Sequence, residues 1–233
     1  MRALIITDMQ NDFLPPKGSL PVPHGDEIVQ PILDLIHQEE QQDFHRIVLV
    51  RDWHTRNHTS FARSHDLPEF SQFEYKSPRP GDKSTQMGTL WPVHCVQNTW
   101  GSQLANPLLK ETYHTHLKIV DKGFLPDREY YSGFSDIWNF HKTELHDYLQ
   151  KHHITEVLVV GLALDYCVKA TAISAAQLGY ETTIVKSLTK AIHDDEESMA
   201  ALRKELDENN VKLVDEVPPH KTVGDSHTNA FAK

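Results

Sequence analysis

Apolar positions along this chain fall into short blocks that alternate between two periods. Residues 3–7, 46–50, 117–120, 156–160, 181–185 and 211–214 are apolar, β-branched runs of core-strand type. Between them the spacing turns helical. Residues 26–40 set Ile28, Ile32, Leu35 and Ile36 on one face, and residues 143–151 do the same with Leu145 and Leu149. Residues 167–178 form an Ala-rich stretch, and residues 196–208 have helical character. Strands alternating with helices predict an α/β chain with a three-layer αβα architecture around a six-stranded, mainly parallel sheet. Residues 53–102 break the rhythm, with little periodicity and much Pro, Gly, Ser and His. An irregular stretch of that length in a compact chain is usually functional. Residues 1–215 read as one domain, and the polar, aperiodic residues 216–233 as a mobile tail.

Composition narrows the function. The 233 residues carry 33 acidic against 23 basic side chains, a formal charge of −10. Arg46, Arg51, Arg56 and Arg63 are scattered rather than clustered, so a nucleic-acid surface is not expected. No apolar run approaches the roughly 18 residues of a membrane span. Residues 1–7 read as a strand rather than a signal peptide. Cys95 and Cys167 are the only cysteines and give no disulfide framework. A reducing, intracellular setting suits a working thiol, and cytoplasmic placement is expected, with nucleus or peroxisome left open.

Three strand ends bring chemistry to one sheet edge. The first strand runs into Asp8, the block HLKIVDKGF ends its strand at Asp121 and Lys122, and Cys167 follows the fourth strand where a helix begins. In open α/β sheets the carboxyl edge of the strands holds the active crevice. A cysteine at a helix N-terminus faces unpaired N–H groups and the positive end of the dipole, which favour the thiolate. A space-filling cysteine is the commoner fate of the residue type. A carboxylate and an ammonium expected at the same edge turn the reading to nucleophile, proton-transfer group and cation. In RDWH, Asp52 and His54 lie two apart on a strand and share a face. His94 in WPVHC would complete a donor set suited first to Zn²⁺, with Mn²⁺ or Fe²⁺ as alternatives. The chain has 16 histidines, so a chance Asp-x-His pair is common. A Cys–His dyad finds no histidine at a strand end beside Cys167, and a redox role lacks a CxxC partner.

The blocks DMQNDF, RDWH, LWPVHC, DKGF and GLALDYCVKATA resemble, in order, the nicotinamidases of the isochorismatase-like cysteine hydrolases. PRPGDKSTQ, NTWGSQL, REYYSGF and DIWNFHKTE bring the resemblance nearest the fungal members, and it spans residue 1 to about residue 215. It implies an amidohydrolase that converts nicotinamide to nicotinic acid and ammonia through a cysteine thioester, in the service of NAD salvage. Pyrazinamide would be an analogue substrate. It implies Asp8, Lys122 and Cys167 as the triad and the N–H groups of Ala163 and Cys167 as the oxyanion hole. A cis peptide would join Leu162 to Ala163. Asp52, His54 and His94 would hold a metal that binds the pyridine nitrogen, with His58 a neighbour of that set or, as in some members, a further ligand, and no organic cofactor. Cys95 is expected to be structural. Phe13, Trp91, Tyr131, Leu162 and Ala163 would surround the substrate. Many members self-associate, so a homo-oligomer is within the reading. Another amidase or isochorismatase-like hydrolase of the same fold is the alternative.

Overall fold

The computed structural model describes residues 1–38, 42–112 and 117–219. In chain order its regular elements are β1 (Arg2–Thr7), α1 (Val29–His37), β2 (Phe44–Asp52), β3 (Gln72–Lys76), β4 (Thr85–Thr89) and α2 (Asn106–Glu111). There follow β5 (Leu117–Lys122), α3 (Leu145–Lys151), β6 (Glu156–Leu162), α4 (Lys169–Gln177), β7 (Glu181–Lys190), α5 (Glu196–Glu208) and β8 (Val211–Val214). Six strands form one sheet in the order β5-β2-β1-β6-β7-β8, and every pairing in it is parallel.

The apolar runs of β1, β2 and β6 follow from burial on both faces. Leu4, Ile6, Leu49, Leu158 and Val160 face one side, where α1 packs Ile32, Leu35 and Ile36 against them. Ala3, Ile5, Val48, Val50 and Val159 face the other, against Leu145 and Leu149 of α3, Ala172 and Ala175 of α4, and Leu202 of α5. From β1 the chain builds outward to β2 and β5, and from β6 it builds the opposite way to β7 and β8. The order therefore reverses between β1 and β6, which places the crevice at their carboxyl ends.

Three differences from the sequence expectation have physical causes. The irregular residues 53–102 contain an antiparallel hairpin, β3 with β4. Its strands bury little beyond Tyr75, which packs over Gly88 and joins a small cluster with Ala62 and Leu90, so the alternation is faint. The first helix opens as a 3-10 turn over Gly25–Ile28 before α1, and residues 39–41 of the expected helix lie outside the described residues. The helix at Cys167 is preceded by a π-helical turn, Leu164–Val168, so the cysteine sits in that turn and α4 proper begins at Lys169. Of the expected tail, residues 220–233 lie outside the described residues. The buried Arg2 donates a 2.9 Å hydrogen bond to the Pro218 carbonyl. No described helix is long and apolar enough to cross a membrane.

Candidate active site

Register brings the charged strand ends together. Asp52 closes β2 directly opposite Lys122, which closes β5, so the two side chains project from neighbouring strands at one level. They form a close ion pair. Asp8 follows β1 on the other side of β2, with a left-handed backbone (φ 51°) that turns the chain out of the sheet. Its carboxylate lies 3.0 Å from the Lys122 ammonium. The Lys122 Nζ is also 3.5 Å from the Cys167 Sγ. All four groups are buried.

Their charges are set by this proximity. Burial works against the Lys122 charge, but Asp52 and Asp8 override it and hold the ammonium well above its usual range. Burial likewise opposes ionisation of Asp52, yet Lys122 and then His54 hold its carboxyl well below the usual value. Burial pushes Asp8 up to about 7; Lys122 opposes the rise and Asp52 adds to it. Burial, and next the Asp8 carboxylate, hold the Cys167 thiol well above its ordinary range. Desolvation and the neighbouring carboxylate thus work against the preference for a thiolate that a helix end confers. What the site offers is a thiol beside a carboxylate whose own proton affinity lies near neutrality.

The second constellation shares Asp52. Its Oδ2 lies 3.5 Å from His54 Nε2 and 3.6 Å from His94 Nε2. The three ligand atoms all fall within 4.8 Å of one another. Each ring is anchored through its other nitrogen: His54 Nδ1–H donates to the Gly123 carbonyl at 2.8 Å and His94 Nδ1–H to the Pro92 carbonyl at 2.7 Å. Those bonds leave both Nε2 lone pairs converging on an ionised carboxylate oxygen, the donor arrangement a divalent metal requires. His58 is fully buried with its ring 4.1 Å from that of His54. Its Nδ1 lies 2.7 Å from the Ser60 hydroxyl and 3.2 Å from the Ser60 N–H, and its buried Nε2 has no hydrogen-bond partner among the described residues, while the three-donor cluster itself comprises Asp52, His54 and His94. Cys95 is buried with its Sγ 3.8 Å from the Gly101 carbonyl, outside the cluster.

A narrow cleft of about 400 Å³, counting its open mouth, leads to Asp8, Cys167, Asp52 and His94. Phe13, Trp91, Tyr131 and Ala163 are among its lining residues. Trp91 Nε1–H donates to the Tyr131 hydroxyl at 3.3 Å, which fixes the indole. Tyr130 turns its hydroxyl to His141, 2.7 Å away. The peptide between Leu162 and Ala163 is cis. Leu162 is a correction: its side chain is fully buried in the core facing Gly25, not among the cleft walls, because it still follows the alternation of β6. Sequence reasoning missed Leu20, Val22, Glu129, Tyr130, Tyr166 and Ile192, which also line the cleft. Tyr166 stands edge-on to Trp91 at 4.9 Å. Ile192 is held by the Asp165 carboxylate, which accepts from the N–H groups of Ile192 and His193, both at 2.9 Å. Glu129 is buried, and burial pushes it up to about 7 against the Tyr130 N–H that donates to it. Its place inside REYYSGF was the only signal.

A buried thiol–carboxylate–ammonium set and an Asp-His-His cluster with metal-ligand spacing lie together at the switch point of a parallel sheet, the arrangement of a hydrolase of the α/β class. The Isochorismatase domain model matches residues 2–213. The nicotinamidase of Saccharomyces cerevisiae is 57% identical over 216 residues, covering 92% of this chain and all of that protein. The crystal structure of the yeast nicotinamidase Pnc1p bound to the inhibitor nicotinaldehyde superposes with a TM-score of 0.90 over 93% of this chain and all of that one. The pyrazinamidase of Pyrococcus horikoshii in complex with zinc, 33% identical, superposes with a TM-score of 0.70 over 91% of this chain and 98% of that one. The chain belongs to the isochorismatase family, among its nicotinamidases.

Proposed function

We propose that the protein hydrolyses nicotinamide to nicotinic acid and ammonia, and so serves NAD salvage. The observation that carries this reading is the shared Asp52 carboxylate, which joins Lys122 of a thiol–carboxylate set to a two-histidine cluster beside a narrow cleft walled by Phe13, Trp91, Tyr131 and Tyr166. Such a cleft suits a planar ring with the carboxamide directed at Cys167.

In this reading Asp8 takes the Cys167 proton as substrate enters, and the thiolate attacks the carboxamide carbon. The N–H groups of Ala163 and Cys167 hold the oxyanion. Asp8 returns the proton to the amide nitrogen, the C–N bond breaks and ammonia leaves, giving a thioester. Asp8 then deprotonates a water that attacks the thioester carbon. The Cys167 sulfur departs and is reprotonated, and nicotinic acid is released. Lys122 keeps Asp8 from retaining a proton too tightly and stabilises the negative charge that develops on the substrate. Phe13, Trp91 and Tyr131 sandwich the ring, while Ala163 limits the depth of the slot. Asp52, His54 and His94 would hold a divalent metal, zinc first and Mn²⁺ or Fe²⁺ otherwise, which would supply a Lewis acid for orienting the ring through its pyridine nitrogen.

The test is ammonia release from nicotinamide by purified protein, before and after metal stripping and zinc return. Activity that vanishes and recovers is the expected result. Activity indifferent to metal would discard the metal assignment, and no activity with zinc restored would discard the substrate.

A further inference from the structure

The turn that follows β1 holds a buried polar side chain that the chemistry above does not use. Gln10 is fully buried. Its Nε2 donates to the Asp52 carbonyl at 2.7 Å and to the Ser102 carbonyl at 2.9 Å, while its Oε1 accepts from the Asp52 N–H at 2.8 Å. Two carbonyls on one side and an N–H on the other determine which way the amide faces.

Sheet geometry explains why Asp52 needs this partner. β1 and β2 stay in register as far as Thr7 opposite Val50, and the Asp8 N–H still donates to the Val50 carbonyl at 2.9 Å. Then Asp8 turns left-handed and the chain leaves the sheet. β2 continues through Arg51 to Asp52, with β5 on its outer side. On its inner side the main chain of Asp52 has lost its neighbouring strand. The Gln10 amide takes that place, offering the donor and acceptor that a backbone peptide would have offered. The same turn carries Asp12, whose carboxylate accepts from the Cys95 N–H at 2.8 Å, one residue from His94.

We infer that Gln10 is a positioning residue: its side-chain amide extends the sheet ladder by one rung, fixes the main chain of Asp52, and so sets the geometry of metal cluster and Lys122 together. The inference rests on the proposed roles of Asp52 and Lys122. It explains how Asp8 can leave the sheet to enter the site without loosening the strand end beside it. A role confined to fold stability would lower the melting temperature and leave the folded protein's metal affinity and thiol chemistry unchanged.

The experiment uses the full chain with Gln10→Met, which keeps length without hydrogen bonds, and Gln10→Glu, which keeps shape but sets an oxygen against two carbonyls. Three readouts are taken on folded protein: zinc affinity by competition with a chromogenic chelator, the pH profile of Cys167 alkylation by iodoacetamide, and KM and kcat for nicotinamide. Zinc affinity is expected to fall at least tenfold in both variants, with a shifted alkylation profile and a larger change in KM than in kcat. A folded Gln10→Met protein with wild-type zinc affinity and alkylation profile would overturn the inference, even if its melting temperature dropped. Asp52→Asn is the control for the footing. If it binds zinc as tightly as wild type, the ligand assignment falls and the Gln10 role falls with it, whatever the turnover of nicotinamide.

Discussion

The Asp52 carboxylate is ion-paired to the Lys122 ammonium through one oxygen and faces both histidines through the other. A single side chain thus belongs to two sites that sequence motifs present as separate. Anything that moves Asp52 acts on the proton chemistry and the metal cluster at once.

Cys167→Ala should abolish ammonia release while leaving metal content near wild type, because the thiol touches Lys122 and not the histidine cluster. Ammonia assay and elemental analysis of the same sample check this. Residual turnover at wild-type rate would remove Cys167 as nucleophile.

His54→Ala should lose metal and raise KM for nicotinamide at least tenfold. One of three converging donors goes, and the ring anchored to Gly123 goes with it. Unchanged metal stoichiometry would take His54 out of the ligand set.

Gly123→Ala tests the same anchor from the other side. Gly123 has φ +74°, which disfavours a side chain, and a Cβ there would collide with the His54 ring. Metal affinity should fall roughly as far as stability, by about 1–3 kcal/mol on each measure. Chelator competition and thermal melts would read both, and a variant stable and metal-loaded as wild type would contradict the close packing.

The pH dependence follows from Asp8. Its carboxyl is pushed up to about 7 by burial, and the base form exists above that value. The kcat/KM for nicotinamide should therefore rise about tenfold per pH unit below 7 and level off above it. Glu129 is also pushed up to about 7, so Glu129→Gln separates the two: the rising limb should survive that change. For stability the sign is opposite. A carboxyl with a raised folded pKa binds its proton more tightly in the native state, so its contribution falls as pH rises from 3.8 to about 7.

Lys122→Met should be destabilising by about 3–5 kcal/mol, since it leaves Asp8 and Asp52 buried without their shared cation. The loss should shrink at acid pH, where Asp8 can be protonated. Denaturant melts at pH 5 and pH 7.5 compare the two, and equal losses would argue against the ion pairs as its source.

What the sequence determined by itself was local. The apolar runs ending in Asp8, Lys122 and the turn before Cys167 announce core strands with chemistry at their ends, because double-sided burial leaves a signature in every residue of a strand. The Asp52–His54 pair was legible for the same reason, since residues two apart on a strand share a face. Only the tertiary structure decided what depends on where loops return. Gln10 acts on Asp52, 42 positions away, through a gap that exists only once β1 has left the sheet. Ile192 enters the cleft because Asp165 holds its backbone, and Leu162 leaves it because strand alternation persists to the end of β6. The thiol's resting protonation was likewise invisible, since it follows from desolvation and from carboxylates that lie far away in sequence. Periodicity records which side of an element is buried. It does not record which distant group lies against that side, and the chemistry of this site is set by those distant groups.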